Sequence, residues 1–187
     1  MVAGAMKTYV TYGVVWALAG ALLNLALFFT GFHSSPEKLQ TGQWIALAIG
    51  LVIGVTCLLL GTKARRQEVP ATEAFGYGRA LGAGVMIVLF ATLFGTVLQY
   101  VYANMINPNL QEVAVQAQIA KWEAAGMSSS QMEAAEGMMR KMSHPALQAV
   151  FQIIGGMLFG TILALITSAF VKRPAAPLAE PPPAAAS

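Results

Sequence analysis

Chemistry in this 187-residue chain would have to come from one of three sets of side chains. The first is Met138, Met139, Met142 and His144, close together in sequence, with His33 and Glu37 emerging on the same side. Thioethers with an imidazole suit Cu(I). Met132, Ala135, Met139 and Met142 also fall at i, i+3, i+7 and i+10, the apolar stripe of an amphipathic helix, and such a stripe is packing surface first. The expectation is therefore no metal and no cofactor, with Met132, Met139 and Met142 as an interaction stripe. The second set is Asn24, Gln99 and Gln152, three carboxamides within long apolar runs. In hydrocarbon such groups seek one another, so they are expected to form a polar layer. That layer either fixes helix register through hydrogen bonds or floors a cavity open to the outside.

The third set would be catalytic. The chain has no Asp, its glutamates are scattered, and no Ser with a partnered His and acid can be assembled from spacing. Gly76-Tyr77-Gly78 lacks the phosphate-loop pattern. No Asp, Glu, Lys, Arg or His lies deep in an apolar run, where a proton relay or ion-coupled pump would need one. The sequence reads as no enzyme.

The elements that position these residues are set by composition. The chain is 57% hydrophobic and 10% charged, against about 25% charged in ordinary soluble domains. Mean hydropathy is +0.63. A soluble fold could not cover such a core, so the lipid bilayer is the expected surroundings. Four apolar runs predict four spans, at about 9–32, 44–60, 80–101 and 146–171, within a membrane domain covering 1–173. The first run is too long for a secretory signal and ends in Phe28, Phe29 and Phe32, so it is expected to be retained; Met6 is a second plausible start. A short polar connection, His33 to Gln43, leads to the second span, with Trp44 at an interface position. Cys57 lies inside that span and reads as a small core residue.

Basic residues set the expected orientation. Lys7, Lys63, Arg65, Arg66, Arg79, Lys172 and Arg173 fall on one side, most of them against span ends, while Lys38, Lys121, Arg140 and Lys141 fall on the other. The positive-inside rule then puts both termini in the cytoplasm, and Gly61 to Ala74 becomes a cytoplasmic loop. Charges spent on topology leave no nucleic-acid surface.

Between spans three and four, residues 104–145 predict an extracytoplasmic helical hairpin. Asn107 is its expected N-cap with Pro108 at the first helical position, and Gly126 its first stop. Ser130 with Glu133 reads as the capping box of the second helix, Glu136 and Arg140 sit four apart, and Ser143 or His144 caps the fourth span ahead of Pro145. Small residues every fourth position give each span a smooth face: Gly13, Ala17 and Ala21; Ala46, Gly50 and Gly54; Gly78 with Gly82 and Ala80 with Gly84; Gly156, Gly160, Ala164 and Ser168. Such faces let helices pack closely, as a bundle or a tight homodimer. The tail, 174–187, carries five of the nine prolines and is expected to be disordered.

Gly78-Arg79-Ala80-Leu81 followed by Gly84 resembles the Gly-Lys/Arg-Ala-Phe/Leu-x-x-Gly pattern of a family of small four-span bacterial membrane proteins, domain of unknown function number forty-one ninety-nine. Tyr12-Gly13, Ile106-Asn107-Pro108 and Ser168-Ala169-Phe170-Val171-Lys172-Arg173 continue the resemblance, which covers roughly residues 6 to 173. The chain departs from that pattern in its alanine- and glycine-rich approach to the third span and in its Pro-rich tail. The resemblance implies an integral membrane protein and carries no activity. The expectation is an all-α, four-transmembrane-helix bundle acting as a non-enzymatic scaffold or partner subunit, with a homo-oligomer or another membrane protein as partner. The alternative is a transporter component that binds a small molecule or lipid near the outer leaflet.

Overall fold

The computed structural model describes residues 2–176. Six helices follow in order: α1 (Val2–Phe29), α2 (Pro36–Gln67), α3 (Tyr77–Val101), α4 (Leu110–Ala124), α5 (Ser129–Met142) and α6 (Pro145–Val171). A π-helical turn, Tyr102–Ile106, prolongs α3. Among the described residues there is no strand, only an isolated antiparallel bridge between Phe75 and Arg173. Four helices are long and apolar enough to cross a membrane: Gly4–Phe29, Pro36–Gln67, Tyr77–Ile106 and Pro145–Val171. The protein is an all-α, multi-pass membrane protein.

Helix ends correct the expected spans where hydropathy and hydrogen bonding diverge. The connection from His33 to Gln43 shrinks to a tight turn, because α2 starts at Pro36, behind an extended Ser35 and with Glu37 in its first turn. A proline at the first helical position loses no backbone bond, and an acid there suits the helix dipole. Gly31, at φ +82°, makes the preceding turn and ends the first span at Phe29, not Phe32. At its other end α2 runs through Gly61 and Thr62, both buried, to Gln67, so the basic loop begins only at Glu68. With 32 residues, α2 is about 48 Å long and outreaches a hydrocarbon core of about 30 Å. Its first turns stand beyond the apolar run, where Leu39 and Gly42 are buried and α4 packs on the helix.

The hairpin also starts differently. Asn109, not Asn107, precedes α4, because the Asn107 side chain is committed to Tyr102. The capping box of α5 is Ser128 with Gln131 instead of Ser130 with Glu133: Gln131 N donates to Ser128 Oγ at 3.4 Å and Ser128 N donates to Gln131 Oε1 at 3.2 Å. Starting at the first of three serines gains backbone pairs that the later start would forfeit. Gly126, at φ +74°, follows the end of α4, and His144 caps α6 by accepting from Ala146 N.

In the bundle, α2 and α3 form the short diagonal, and α1 and α6 each pack against both. Packing is tightest toward the α2–α3 loop. There Leu58, Ile87, Val88, Leu163 and Ala164 make one buried cluster, and Val69, Phe75, Ala80, Ala83 and Val171 a second. Glycines allow the approach: a Cβ on Gly84 would lie 2.9 Å from Ala164 Cβ, one on Gly54 2.6 Å from the Trp16 ring, and one on Gly160 would overlap Val88. The same end is tied by hydrogen bonds. Phe75 and Arg173 exchange backbone bonds of 2.9 and 2.8 Å, Arg173 Nη2 donates to Val69 O and Pro70 O, and Arg66 Nη1 donates to Val171 O. Ala176 N donates to Ala71 O, so the chain follows this loop through residue 176; the rest of the expected disordered tail lies outside the described residues.

Candidate ligand cavity

At the hairpin end the packing changes. On α3 the buried positions stop at Ala91, and on α6 they lie from Gly160 onward, in the loop half. Between these levels and the hairpin lies a cavity of about 500 Å³. Residues from Trp16 to Leu27 of α1, Val88 to Val101 of α3 and Gln152 to Gly160 of α6 line it, with Ala46 and Gly50 of α2. Its origin is legible in the glycines. Gly20, Gly50 and Gly95 line the cavity, and a Cβ on any of them would meet nothing within 4 Å. Gly156 and Gly160, which line the same space from α6, instead seat Thr92 and Val88, so the opening is made at Gly20, Gly50 and Gly95.

The three carboxamides converge on this cavity. Asn24 Nδ2 donates to Gln99 Oε1 at 3.1 Å, joining α1 to α3. Gln152 lines the same space from α6 but lies exposed on it, with no side-chain hydrogen bond among the described residues. Thr92 also lines the cavity, but its hydroxyl is spent on Val88 O at 2.8 Å. Among the described residues, no Asp, Glu, Lys, Arg or His lines it.

A polar cluster that the sequence does not announce roofs the cavity. Tyr102, itself a lining residue, is 4% exposed, Asn107 6% and His33 9%. Tyr102 Oη lies 2.5 Å from His33 Nδ1 and accepts from Asn107 Nδ2 at 3.1 Å. With Asn107 donating, the hydroxyl proton is free for His33, which then carries its own proton on Nε2. Phe28 packs edge-on against Tyr102 at 6.1 Å. The π turn makes this possible: Asn107 N donates to Tyr102 O at 2.9 Å, five residues back, bringing Asn107 over the ring. Such turns recur at functional sites. The only advance signals were His33, which reads as a metal candidate, and Asn107, which reads as a cap.

Burial lowers the pKa of His33 from its ordinary value. Protonation would place a second donor against Tyr102 Oη and strand the hydroxyl proton. A lowered folded value means that the unfolded chain takes up the proton first, so the stability contributed is complete above the ordinary value of 6.5 and declines as pH falls below it toward the folded value. Thermal unfolding measured from about pH 8 to pH 5 should show the melting temperature falling, and His33→Gln should flatten that slope.

The methionine stripe and the basic residues lie apart from the cavity. Met132 and Met139 are half-buried on α5, which packs against α4, whereas Met138 is 66% exposed and Met142 is also exposed. His33, engaged by Tyr102, is not available to a methionine site. Arg140 clasps the hairpin, pairing with Glu136 at 2.8 Å and Glu112 at 3.2 Å. The hydrogen bond from Arg140 holds Glu112 below the usual carboxylate range. Among the basic residues at the loop end, Arg65 donates to Tyr9 Oη and pairs with Glu68, and Arg79 pairs with Glu73. Arg66 and Arg173 bond the backbone, and Lys63 and Lys172 are exposed. Small-residue faces are used in part: Gly13, Gly54, Gly84, Gly156 and Gly160 meet neighbours, while Gly50, Gly78 and Gly82 do not.

Residues 11–173 match the family described as "Protein of unknown function (DUF4199)", and the chain belongs to that family. No curated protein and no solved structure matches it.

Proposed function

We propose that this protein is a non-enzymatic component of the bacterial inner membrane that binds a small membrane-soluble molecule beneath its hairpin, near the outer leaflet. One observation carries the reading: a cavity of about 500 Å³, within the range of small-molecule sites, lies among all four spans where the other half of the bundle is closely packed. This favours the ligand-binding alternative over the scaffold that the sequence suggested first. The orientation rests on charge. Lys7, Lys63, Arg65, Arg66, Arg79, Lys172 and Arg173 all belong to the loop end, so both termini are cytoplasmic and the hairpin faces outward.

Filling the cavity tests the reading. Because the Cβ positions of Gly20 and Gly95 are open, Gly20→Leu with Gly95→Leu should fold with unchanged helical content while losing any small molecule that copurifies with the unaltered protein. Native mass spectrometry after gentle detergent extraction reads the result. Retention of the same adduct by the filled variant would end the proposal.

A second reading keeps the scaffold role. It is favoured by α5, in which no residue is fully buried and Met138 is 66% exposed, so the helix offers an apolar edge to a partner. With Cys57 replaced, Met138→Cys should crosslink to one defined membrane protein or to a second copy in intact membranes. A diffuse spread of products would count against it.

A further inference from the structure

We infer that the cavity selects a neutral lipid with a single apolar chain and a head that both donates and accepts hydrogen bonds, an amide or a hydroxyl. The inference rests on the ligand-binding reading above and names its ligand class. Charge is the first argument. No Asp, Glu, Lys, Arg or His lines the space among the described residues, so an ion would be buried without a counter-charge. Phosphates, carboxylates and ammonium heads are disfavoured on that ground.

The amides supply the second argument. The Asn24–Gln99 bond uses one donor group and one acceptor, leaving Asn24 Oδ1 and the Gln99 Nε2 group unspent. Exchanging the oxygen and nitrogen of both side chains reverses the bond and again leaves one acceptor and one donor, so the conclusion does not depend on the amide assignment. Gln152 adds a complete carboxamide from the facing helix. The hydroxyls that line the cavity are already committed, that of Thr92 to Val88 O and that of Tyr102 to the roof. Unspent polar capacity in the cavity thus sits at one level, in both senses, and hydrocarbon offers it no water. A carbonyl-only ligand would use the donors alone. An amide or alcohol satisfies both.

The apolar chain has a defined path. From the amide level the lining descends past Ala17 and Trp16 to Val88 and Gly160, with no further free polar side chain. Trp16, about 12 Å below Asn24 along α1, is therefore a built-in reporter for the tail.

The test uses the full chain with Trp44→Phe and Trp122→Phe, so that Trp16 is the one indole, in nanodiscs of unlabelled lipid. Terminally brominated fatty amide, fatty alcohol and fatty acid of equal length are titrated at neutral pH, with unbrominated amide as competitor. The inference expects saturable, competable quenching by the amide and the alcohol and at least tenfold weaker binding of the acid. The acid should gain affinity relative to the amide when the pH is lowered enough to neutralise it. Asn24→Leu with Gln152→Leu should weaken the amide about tenfold with helical content unchanged. Equal affinity for the ionised acid, or no loss on the double substitution, would overturn the ligand class and leave the cavity reading standing. Absence of saturable quenching by any probe would overturn both.

Discussion

Gly13→Leu should abolish most of the folded protein. A Cβ at Gly13 would lie 2.5 Å from Phe90 Cβ, 2.9 Å from Ala91 N and 3.1 Å from Ile87 O. Two of these neighbours are backbone atoms of α3, which no rotamer change can move aside, so α1 and α3 must separate to admit even a methyl group. Overpacking by a methylene or two costs about 1–3 kcal/mol where side chains can yield. Here the backbone cannot, and α1–α3 is among the most extensive interfaces in the bundle. Against a total stability of roughly 5–15 kcal/mol, a leucine at this position should exceed what the fold can absorb. Gly20→Leu is the control on the same helix: it has nothing within 4 Å and should leave the melting temperature almost unchanged. Fluorescence-detected size-exclusion chromatography and thermal unfolding of the two variants in detergent would read the contrast. Equal behaviour would mean that α1 is held by something other than close backbone approach.

That contrast also shows what the sequence could and could not convey. Four apolar blocks with basic residues at their ends identify four spans, because bilayer thickness and hydropathy act on every residue in the same way. A carboxamide in hydrocarbon has few alternatives, so Asn24, Gln99 and Gln152 read as one layer; the structure bonds Asn24 to Gln99 at 3.1 Å, and Gln152 lines the same space outside that bond. Gly50 and Gly54 look equivalent, four apart on one face, yet Gly54 seats Trp16 and Gly50 opens onto the cavity. The difference depends on helices distant in sequence. Hydropathy also misjudged α2, because it reports where a helix meets lipid, whereas the backbone continues through polar residues wherever its hydrogen bonds are met. Tyr102 was hidden for a third reason: the π turn shifts the register after Val101, so the ordinary helical period assigns the following side chains to the wrong faces.

Tyr102→Phe should cost the fold heavily while removing only one oxygen. The hydroxyl is the shared partner of His33 Nδ1 and Asn107 Nδ2, and all three residues are at most 9% exposed. Its loss strands a buried acceptor on the α1–α2 turn and a buried donor beyond the π turn, at roughly 1–3 kcal/mol for each group. The ring itself still fills its place against Phe28. The cost is therefore one of unsatisfied polarity and not of volume, which gives the prediction a distinctive second arm. Replacing His33 and Asn107 by Leu in the Tyr102→Phe background removes the stranded groups and should recover part of the lost melting temperature, although two more residues have been changed. Each Leu substitution made alone should destabilise. Such a reversal of sign between backgrounds identifies a coupled network, and simple additivity would refute one. The cavity should respond as well. Tyr102 lines it and holds its roof, so Tyr102→Phe should loosen the ligand that Gly20→Leu with Gly95→Leu excludes, and recovery of the roof by the triple substitution should restore binding along with stability.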